Sequence, residues 1–437
     1  MTPHTHAPGE RLPGFAYRKL KTGGSDQLVL HAEQIPLSKL GKKYGTPLYV
    51  YSVATIHERY AAFDHSFAEI PHTICYSVKA NSNLSILRLL ARKGCGFDVV
   101  SGGELERVLI ADRRAAKKVV FSGVGKTREE LAAALRAGIM LFNVESESEL
   151  SALAECSDRL GKIAPIALRV NPDVAAETHP YISTGLRKHK FGVPIENARE
   201  LYRKAATSRY LSVRGVSVHI GSQITDAAPF GEAMSRVADL VRQLRGDGHS
   251  INYVDAGGGL GISYEHPEAG DFPARAAAYA QSLIAPLRGL NVRLLLEPGR
   301  AIIGPAGVLL TTVLYKKTND GKRFLVVDAA MNDLIRPALY GAYHEIVPVV
   351  RDEGAATETA DVVGPICETG DFFARDRELP VVEEGDLLAI LDVGAYGMVL
   401  SANYNSRLKA PEVLVTGKTA KVIRRREKIA DLIRAEM

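Results

Sequence analysis

The feature that most limits the fold of this chain is an alternation. Between about residue 46 and residue 304, short apolar runs at 74–79, 96–100, 119–122, 140–144, 165–170, 213–219, 252–256 and 292–297 are separated by stretches with helical patterning. Eight strands in strict alternation with helices predict a (β/α)8 barrel, an α/β architecture whose parallel strands close into a ring inside their helices. An open doubly wound sheet is the other fold compatible with the pattern. Helix punctuation supports the alternation. Thr127 and Glu130 have the spacing of a capping box, with Gly138 at the stop, and Ser146 and Glu149 repeat the device, with Gly161 at the stop. Asn83 is placed to cap Leu84–Arg92, with Gly94 just beyond.

After about residue 305 the alternation ends. Val308–Tyr315, Phe324–Asp328, Leu387–Asp392 and Glu412–Thr416 are strand-like, with no long helical patterns between them. The expected organisation is a barrel over 46–304 and a mostly β domain over 305–437 that also takes in residues 1–45, where Gln27–His31 is a further strand candidate. The last stretch, Lys421–Met437, reads as a basic terminal helix carrying Arg424, Arg425 and Arg426.

Composition narrows the function classes. The 437 residues carry 55 basic and 50 acidic side chains, a net charge of +5, which is too mild to indicate nucleic acid. Four cysteines without a C-x-x-C pair point away from a disulfide framework or a zinc site, and the twelve histidines show no ligand spacing, so no metal is assigned. Met1–Leu12 has no apolar signal core and no uninterrupted apolar run is long enough for a bilayer, so a soluble, cytoplasmic protein without a membrane partner is expected.

The chemistry-bearing residues sit at the carboxyl ends of the strand runs, where barrels place their sites. Lys79 closes the first run, and a lysine there can form a Schiff base with an aldehyde cofactor. Asp98, ending the second, either orients that ammonium or is an ordinary strand-end residue. His219 and Ser222, in His219-Ile220-Gly221-Ser222-Gln223, offer a flat imidazole for a cofactor ring and a hydroxyl for a phosphate. The alternative for His219 is a core histidine satisfied by backbone. Gly257, Gly258 and Gly259 follow the seventh run, where their amides can cradle a phosphate, unless the run is a surface turn. In Glu297-Pro298-Gly299-Arg300 the carboxylate suits a pyridine nitrogen, the Gly299 amide a phosphate and Arg300 a substrate carboxylate. An internal Glu297–Arg300 pair is the alternative. In the C-terminal domain, Cys367 and Glu368 stand in a turn-like stretch, where the thiol is either a proton donor or an inert buried cysteine. Arg336 and Tyr340 stand one helical turn apart, as a carboxylate grip would need, and Tyr396 lies between small residues.

Six motifs in this order resemble one family. YSVKAN around Lys79, HIGSQ at His219, GGGLG at Gly257–Gly261 and EPGR at Glu297–Arg300 are similar to the barrel-type, fold type III pyridoxal-phosphate decarboxylases. MNDLIRPALYGAYHEI from Met331 and CETGDFFARDRELP from Cys367 resemble the diaminopimelate decarboxylase branch, with Thr369 where serine is usual. The likeness covers nearly the whole chain from about residue 25, and it includes His179–Ile182 and Lys190–Gly192, similar to the family's loop after the fifth strand. It implies pyridoxal 5'-phosphate held by Lys79, with Glu297 on the ring nitrogen and His219 on the ring face. The glycine loop, Ser222, Gly299 and Tyr396 would bind phosphate. Arg300, Arg336 and Tyr340 would grip the carboxylate at the substrate's non-reacting end, Glu368 would take the amine there, and Cys367 would act as the acid in the partner subunit's site. A homodimer with shared sites follows, acting on a small amino acid. The implied reaction is decarboxylation of meso-2,6-diaminopimelate to L-lysine. The rivals are a decarboxylase of ornithine, arginine or D-lysine, an amino-acid racemase on the same barrel and an inert cofactor-binding protein.

Overall fold

The computed structural model describes residues 14–22, 25–174, 190–265, 272–352 and 354–437. Its contacts divide into two compact units: residues 61–261 with 273–301, and residues 1–60 with 262–272 and 302–437.

The first unit is built around eight parallel strands. They are β1 (His72–Ser77), β2 (Gly96–Val99), β3 (Val119–Phe121), β4 (Leu141–Val144), β5 (Ala164–Asn171), β6 (Leu211–Val218), β7 (Tyr253–Asp255) and β8 (Arg293–Leu296). Each pairs in parallel with the next, and β8 pairs back onto β1 with Leu294 opposite His72. That last pairing closes the ring and rules out the doubly wound sheet. All eight predicted runs are strands, because a barrel strand is covered by side chains inside and by helices outside and so reads as continuously apolar. Cys75, Val120, Leu141, Ala167 and Leu295 form one buried core cluster.

The helix signals hold with one change. Thr127 and Glu130 form a complete capping box on the helix Arg128–Ala137, and Gly138 ends it in the left-handed region at φ 63°. Asn83 accepts from the Ser85 amide at the start of Leu84–Arg92. Ser146 caps Glu147–Leu160 through the Glu149 amide, but the Glu149 carboxylate does not return to Ser146. It accepts instead from the Glu145 amide and from Lys126 Nζ, 2.7 Å away, because a buried lysine needs a counter-charge more than an exposed amide needs a cap.

The second unit is mostly β. Gly307–Asn319 pairs antiparallel with Lys322–Val327, with Leu387–Ile390 and with Leu48–Ser52. Phe15–Thr22 and Ser25–Ala32 form an antiparallel pair, joined by Val350–Arg351, so the N-terminal strands do enter this unit. Leu30, Leu48, Val50, Leu310, Val349, Ala389 and Val413 belong to its core. Two expectations change here. Residues 46–60 group with this unit and not with the barrel, because Leu48–Ser52 is held between Gly307–Asn319 and Glu412–Thr416. The basic C-terminal stretch is not one helix. Thr419–Arg424 turns back at Gly417 (φ 56°) as a hairpin strand on Glu412–Thr416, where Arg424 Nε bonds the buried Glu412 carboxylate, and only Ile429–Ile433 is helical. Among the described residues no helix is long and apolar enough to cross a membrane.

Candidate active site

Lys79 lies two residues beyond the end of β1, and not within a strand running to 79. The strand stops at Ser77, and a single 3-10 turn, Val78–Ala80, carries the lysine out of the sheet. Ser77 secures the exit. Its amide donates to the Pro298 carbonyl at 3.1 Å, and its hydroxyl lies 2.9 Å from both the Glu297 carbonyl and the Asp98 carboxylate. Lys79 Nζ donates to Asp98 Oδ2 at 2.7 Å. Asp98 is wholly buried, so the ammonium offsets a carboxylate that burial would otherwise penalise.

Glu297, just past β8, faces inward into a polar cluster that the apolar strands carry at a few positions. Ser122 Oγ donates to Glu297 Oε1 at 3.2 Å, and Asn143 Nδ2 lies 3.1 Å from Ser122 Oγ and 2.6 Å from Asp255 Oδ2. The Gly257 amide donates to Asp255 Oδ1 at 3.0 Å. Asp255 and Glu297 are neighbours in this cluster, and each biases the other's charge. Burial, followed by the charges of Asp255 and Asp98, pushes the Glu297 carboxyl well above its ordinary range. Burial raises Asp255 too, against the bonds from Asn143 and Gly257. Burial and mutual repulsion thus both favour the protonated form in this pair. A cationic ring N–H beside Glu297 would supply the positive charge that the cluster lacks.

The glycine run after β7 is buried and packed, and is not a surface turn. Gly257 has φ 65°, and a Cβ on Gly258 would stand 2.3 Å from the Glu297 carbonyl oxygen. Close packing against β8 is thus what demands glycine here. Among the described residues the amides of Gly258, Gly259 and Gly299 have no protein acceptor. Amide donors at the ends of the paired strands β7 and β8 fit a phosphate dianion. Ser222 Oγ accepts from Arg300 Nη2 at 3.2 Å, so these two candidate residues are joined.

His219 follows β6. The Gly221 amide donates to its Nδ1 at 3.3 Å, which leaves the ring proton on Nε2. Burial, then the charges of Arg169 and Lys79, hold its pKa well below the ordinary value. The ring is therefore neutral, as a face stacked on a cationic cofactor ring should be. Arg169 is itself anchored, with Nη1 3.1 Å from Glu145 Oε1 and its guanidinium 4.8 Å above the Phe191 ring. The Gly192 amide donates to the same Glu145 carboxylate at 3.1 Å. His179–Ile182 lie outside the described residues.

The β unit carries the remaining candidates. Arg336 opens a five-residue helix, Arg336–Tyr340, that ends on Gly341 in the left-handed region. It is buried, whereas Tyr340 is half-buried. Cys367 is exposed, with its amide donating to Asn405 Oδ1 at 3.2 Å, so the inert buried reading does not apply. Glu368 accepts from the Tyr404 hydroxyl at 2.9 Å. The buried Asp371 shapes this turn by accepting from the Ile366 and Met331 amides, each at 2.7 Å. Tyr396 adopts φ 56°, which is rare for an aromatic residue, and Gly394 before it packs where a Cβ would lie 1.9 Å from the Ile303 carbonyl.

Several supporting residues were not singled out in the sequence: Ser122, Asn143, Asp255, Glu145 and Arg169 in the barrel, and Tyr264 and His344 in the β unit. The available signal was a polar residue inside or just past an apolar strand run, as in Leu141-Phe142-Asn143-Val144 and Ala167-Leu168-Arg169-Val170.

Fold and site together define a (β/α)8 barrel with a strand-end lysine paired to a buried carboxylate, a class of protein suited to an aldehyde cofactor. Residues 53–304 match the family described as "Pyridoxal-dependent decarboxylase, pyridoxal binding domain". The chain is 51% identical over 407 residues to the diaminopimelate decarboxylase of Pseudomonas aeruginosa, covering 93% of this chain and 96% of that one. It is 51% identical over 404 residues to that of Vibrio cholerae, covering 92% and 95%. Among solved structures, the diaminopimelate decarboxylase of Helicobacter pylori complexed with L-lysine aligns with a TM-score of 0.87 at 42% identity, over 92% of this chain and 99% of that one. The enzyme of M. jannaschii in co-complex with L-lysine aligns at 0.89 and 39% identity, over 98% of each. The chain belongs to the diaminopimelate decarboxylase family of pyridoxal-phosphate-dependent carboxy-lyases.

Proposed function

We propose that this chain removes the carboxylate at one end of meso-2,6-diaminopimelate and releases L-lysine, with the labour divided among the residues described above. The observation that carries this reading is the Lys79–Asp98 pair set beside the buried Glu297 cluster and the Gly258, Gly259 and Gly299 amides. Pyridoxal phosphate, when bound, supplies a cationic ring that withdraws the electron pair left when the carbon–carboxylate bond breaks.

Lys79 Nζ would hold the cofactor's aldehyde carbon, and Asp98 would orient that nitrogen. Glu297 would keep a proton on the ring nitrogen, and the neutral His219 ring would pack its face. The Gly258, Gly259 and Gly299 amides, Ser222 and Tyr396 would donate to the phosphate, whereas the Gly257 amide is taken by Asp255. Arg300, Arg336 and Tyr340 bind the carboxylate at the end that does not react, and Glu368 binds the amine there. Binding energy at that end orients the bond to be broken. The carbon that loses carbon dioxide gains a proton from Cys367 Sγ. We further propose a cytoplasmic homodimer in which Cys367 of each copy serves the site of the other. The exposure of that thiol in the single chain supports this reading.

A substrate without the second carboxylate would offer the buried guanidinium groups of Arg300 and Arg336 no anion to bind, which forgoes about 3–5 kcal/mol. Lysine and carbon dioxide released from meso-diaminopimelate should therefore far exceed turnover of ornithine, arginine or D-lysine measured in parallel. Equal or faster turnover of ornithine would sink the assignment. Borohydride reduction followed by peptide mapping should place the cofactor on Lys79, and a label on any other lysine would overturn the barrel half of the scheme.

A further inference from the structure

We infer that His344 and Tyr264 are positioning residues that fix the Arg336 guanidinium and so set the affinity for the substrate's non-reacting carboxylate. The inference rests on the reading, above, that Arg336 grips that group. Arg336 Nη1 donates to the Tyr264 hydroxyl at 2.9 Å and to His344 Nε2 at 2.9 Å. One terminal guanidinium nitrogen bears two hydrogens, and these two acceptors take both. The guanidinium also lies 4.8 Å from the centre of the Tyr264 ring, which is itself edge-on to the His344 ring at 5.1 Å. The arginine is thus held in position and in plane.

The tautomer of His344 follows from its partners. Nδ1 lies 2.8 Å from the Leu391 carbonyl oxygen, an acceptor with no proton, so Nδ1 carries the hydrogen. Nε2 faces an arginine nitrogen that has no lone pair to give, so Nε2 is the acceptor. The imidazole is neutral and fully buried. Its backbone is pinned as well: the His344 carbonyl accepts from Arg377 Nη1 at 3.0 Å, and the Leu391 amide donates to the Glu345 carbonyl at 2.9 Å.

The neutrality of these partners is what suits them to a binding arginine. A carboxylate in place of His344 would hold Arg336 as firmly, but would spend the positive charge that the substrate carboxylate needs. An imidazole lone pair and a phenol fix the orientation and leave the charge. A long side chain ordered before binding does not have to be ordered by the substrate.

The test uses the cofactor-loaded enzyme and two competitors. L-lysine carries the non-reacting carboxylate, and 1,5-diaminopentane lacks it. His344→Phe removes the acceptor and keeps a ring. It should raise the KM for meso-diaminopimelate and the inhibition constant of L-lysine together by about 2- to 10-fold, the range expected when one long side chain must be ordered on binding. The inhibition constant of the diamine and the cofactor absorbance should not move. Tyr264→Phe, which keeps the stacked ring and needs no repacking, should give the same selective change with smaller size. His344→Gln, whose side-chain oxygen can accept from Arg336, should recover most of the L-lysine affinity. Arg336→Lys tests the underlying reading separately. If it leaves L-lysine binding intact, the carboxylate role of Arg336 is wrong. If it weakens L-lysine while His344→Phe and Tyr264→Phe do not, the positioning role is overturned and the grip stands. A His344→Gln enzyme as defective as His344→Phe, or a diamine constant that rises with that of L-lysine, would also overturn it, since either marks a merely structural histidine.

Discussion

Lys79 leaves the sheet because its strand ends two residues early. At Ser77 the chain leaves the sheet, held by bonds to Pro298, Glu297 and Asp98, and the lysine emerges beside a buried carboxylate at 2.7 Å. The same scale explains Gly258. Its missing Cβ leaves room for the Glu297 carbonyl, which would otherwise stand at 2.3 Å. Gly258→Ala is expected to cost about 1–3 kcal/mol of stability, as overpacking does. It should also weaken cofactor binding, read by thermal melting and by pyridoxal-phosphate titration. An alanine enzyme with unchanged melting and unchanged titration would show that the loop yields freely. Glu297→Gln keeps the shape but carries no negative charge to hold a proton on a ring nitrogen. It should still load the cofactor on Lys79, visible by absorbance, while kcat falls by about 10²–10⁴-fold, the usual worth of a placed acid or base.

At the scale of elements, caps and turns decide where the side chains arrive. The Thr127–Glu130 box starts the helix after β3, and Glu130 Oε1 also accepts from the Gly102 amide, so one carboxylate serves two helix starts. Thr127→Ala should therefore cost about 1 kcal/mol, typical of a lost cap, measured as a shift of the denaturation midpoint. The turn Ala330–Asp333 gives a pH-dependent case. Burial pushes the Asp333 carboxyl up to about 7, against the bond from the Ala330 amide. The folded chain therefore binds this proton more tightly than the unfolded chain does. Between the ordinary value of 3.8 and about 7, stability from this group falls as pH rises, and above that window the loss is complete. Asp333→Asn removes the titration. Relative to the wild type, its melting temperature should rise from about pH 4 to about pH 8, and a constant difference would refute the assignment.

For the whole molecule, the proposed sharing of Cys367 between copies makes a prediction that no single-chain reading makes. Lys79→Ala and Cys367→Ala enzymes should each be inactive alone, yet mixing and re-equilibrating them should restore roughly a quarter of wild-type activity, because half the dimers are mixed and each mixed dimer has one intact site. Activity that stays absent on mixing, with exchange shown by mass, would mean that each copy completes its own site.

All eight barrel strands were legible in the sequence because burial on both faces writes itself as an apolar run, and helix ends were legible because caps use few residue types. The same local logic misread the C-terminus. Lys421–Met437 has the composition of a helix, but Thr419–Arg424 is claimed by hairpin pairing and by the Glu412–Arg424 bond, which no local signal announces. Residues 46–60 were likewise assigned by alternation to the barrel, whereas strand pairing with distant residues takes them into the β unit. Among the candidate site residues, Lys79, His219, Glu297 and the glycines were legible because they stand at strand ends in recognisable runs. Asn143, Asp255 and His344 were not, since their importance lies in what they touch: Asp255 meets Asn143 from a strand more than a hundred positions away, and His344 reaches Leu391 across 47. The sequence by itself determined the alternation, the strand-end lysine and the family's motifs, because these are written within a few residues of one another. Only the tertiary structure decided which buried carboxyls are neighbours, which ring bonds Arg336 and which strands the segments Phe15–Thr22 and Thr419–Arg424 join. Those outcomes depend on desolvation and on distances between segments that are far apart along the chain.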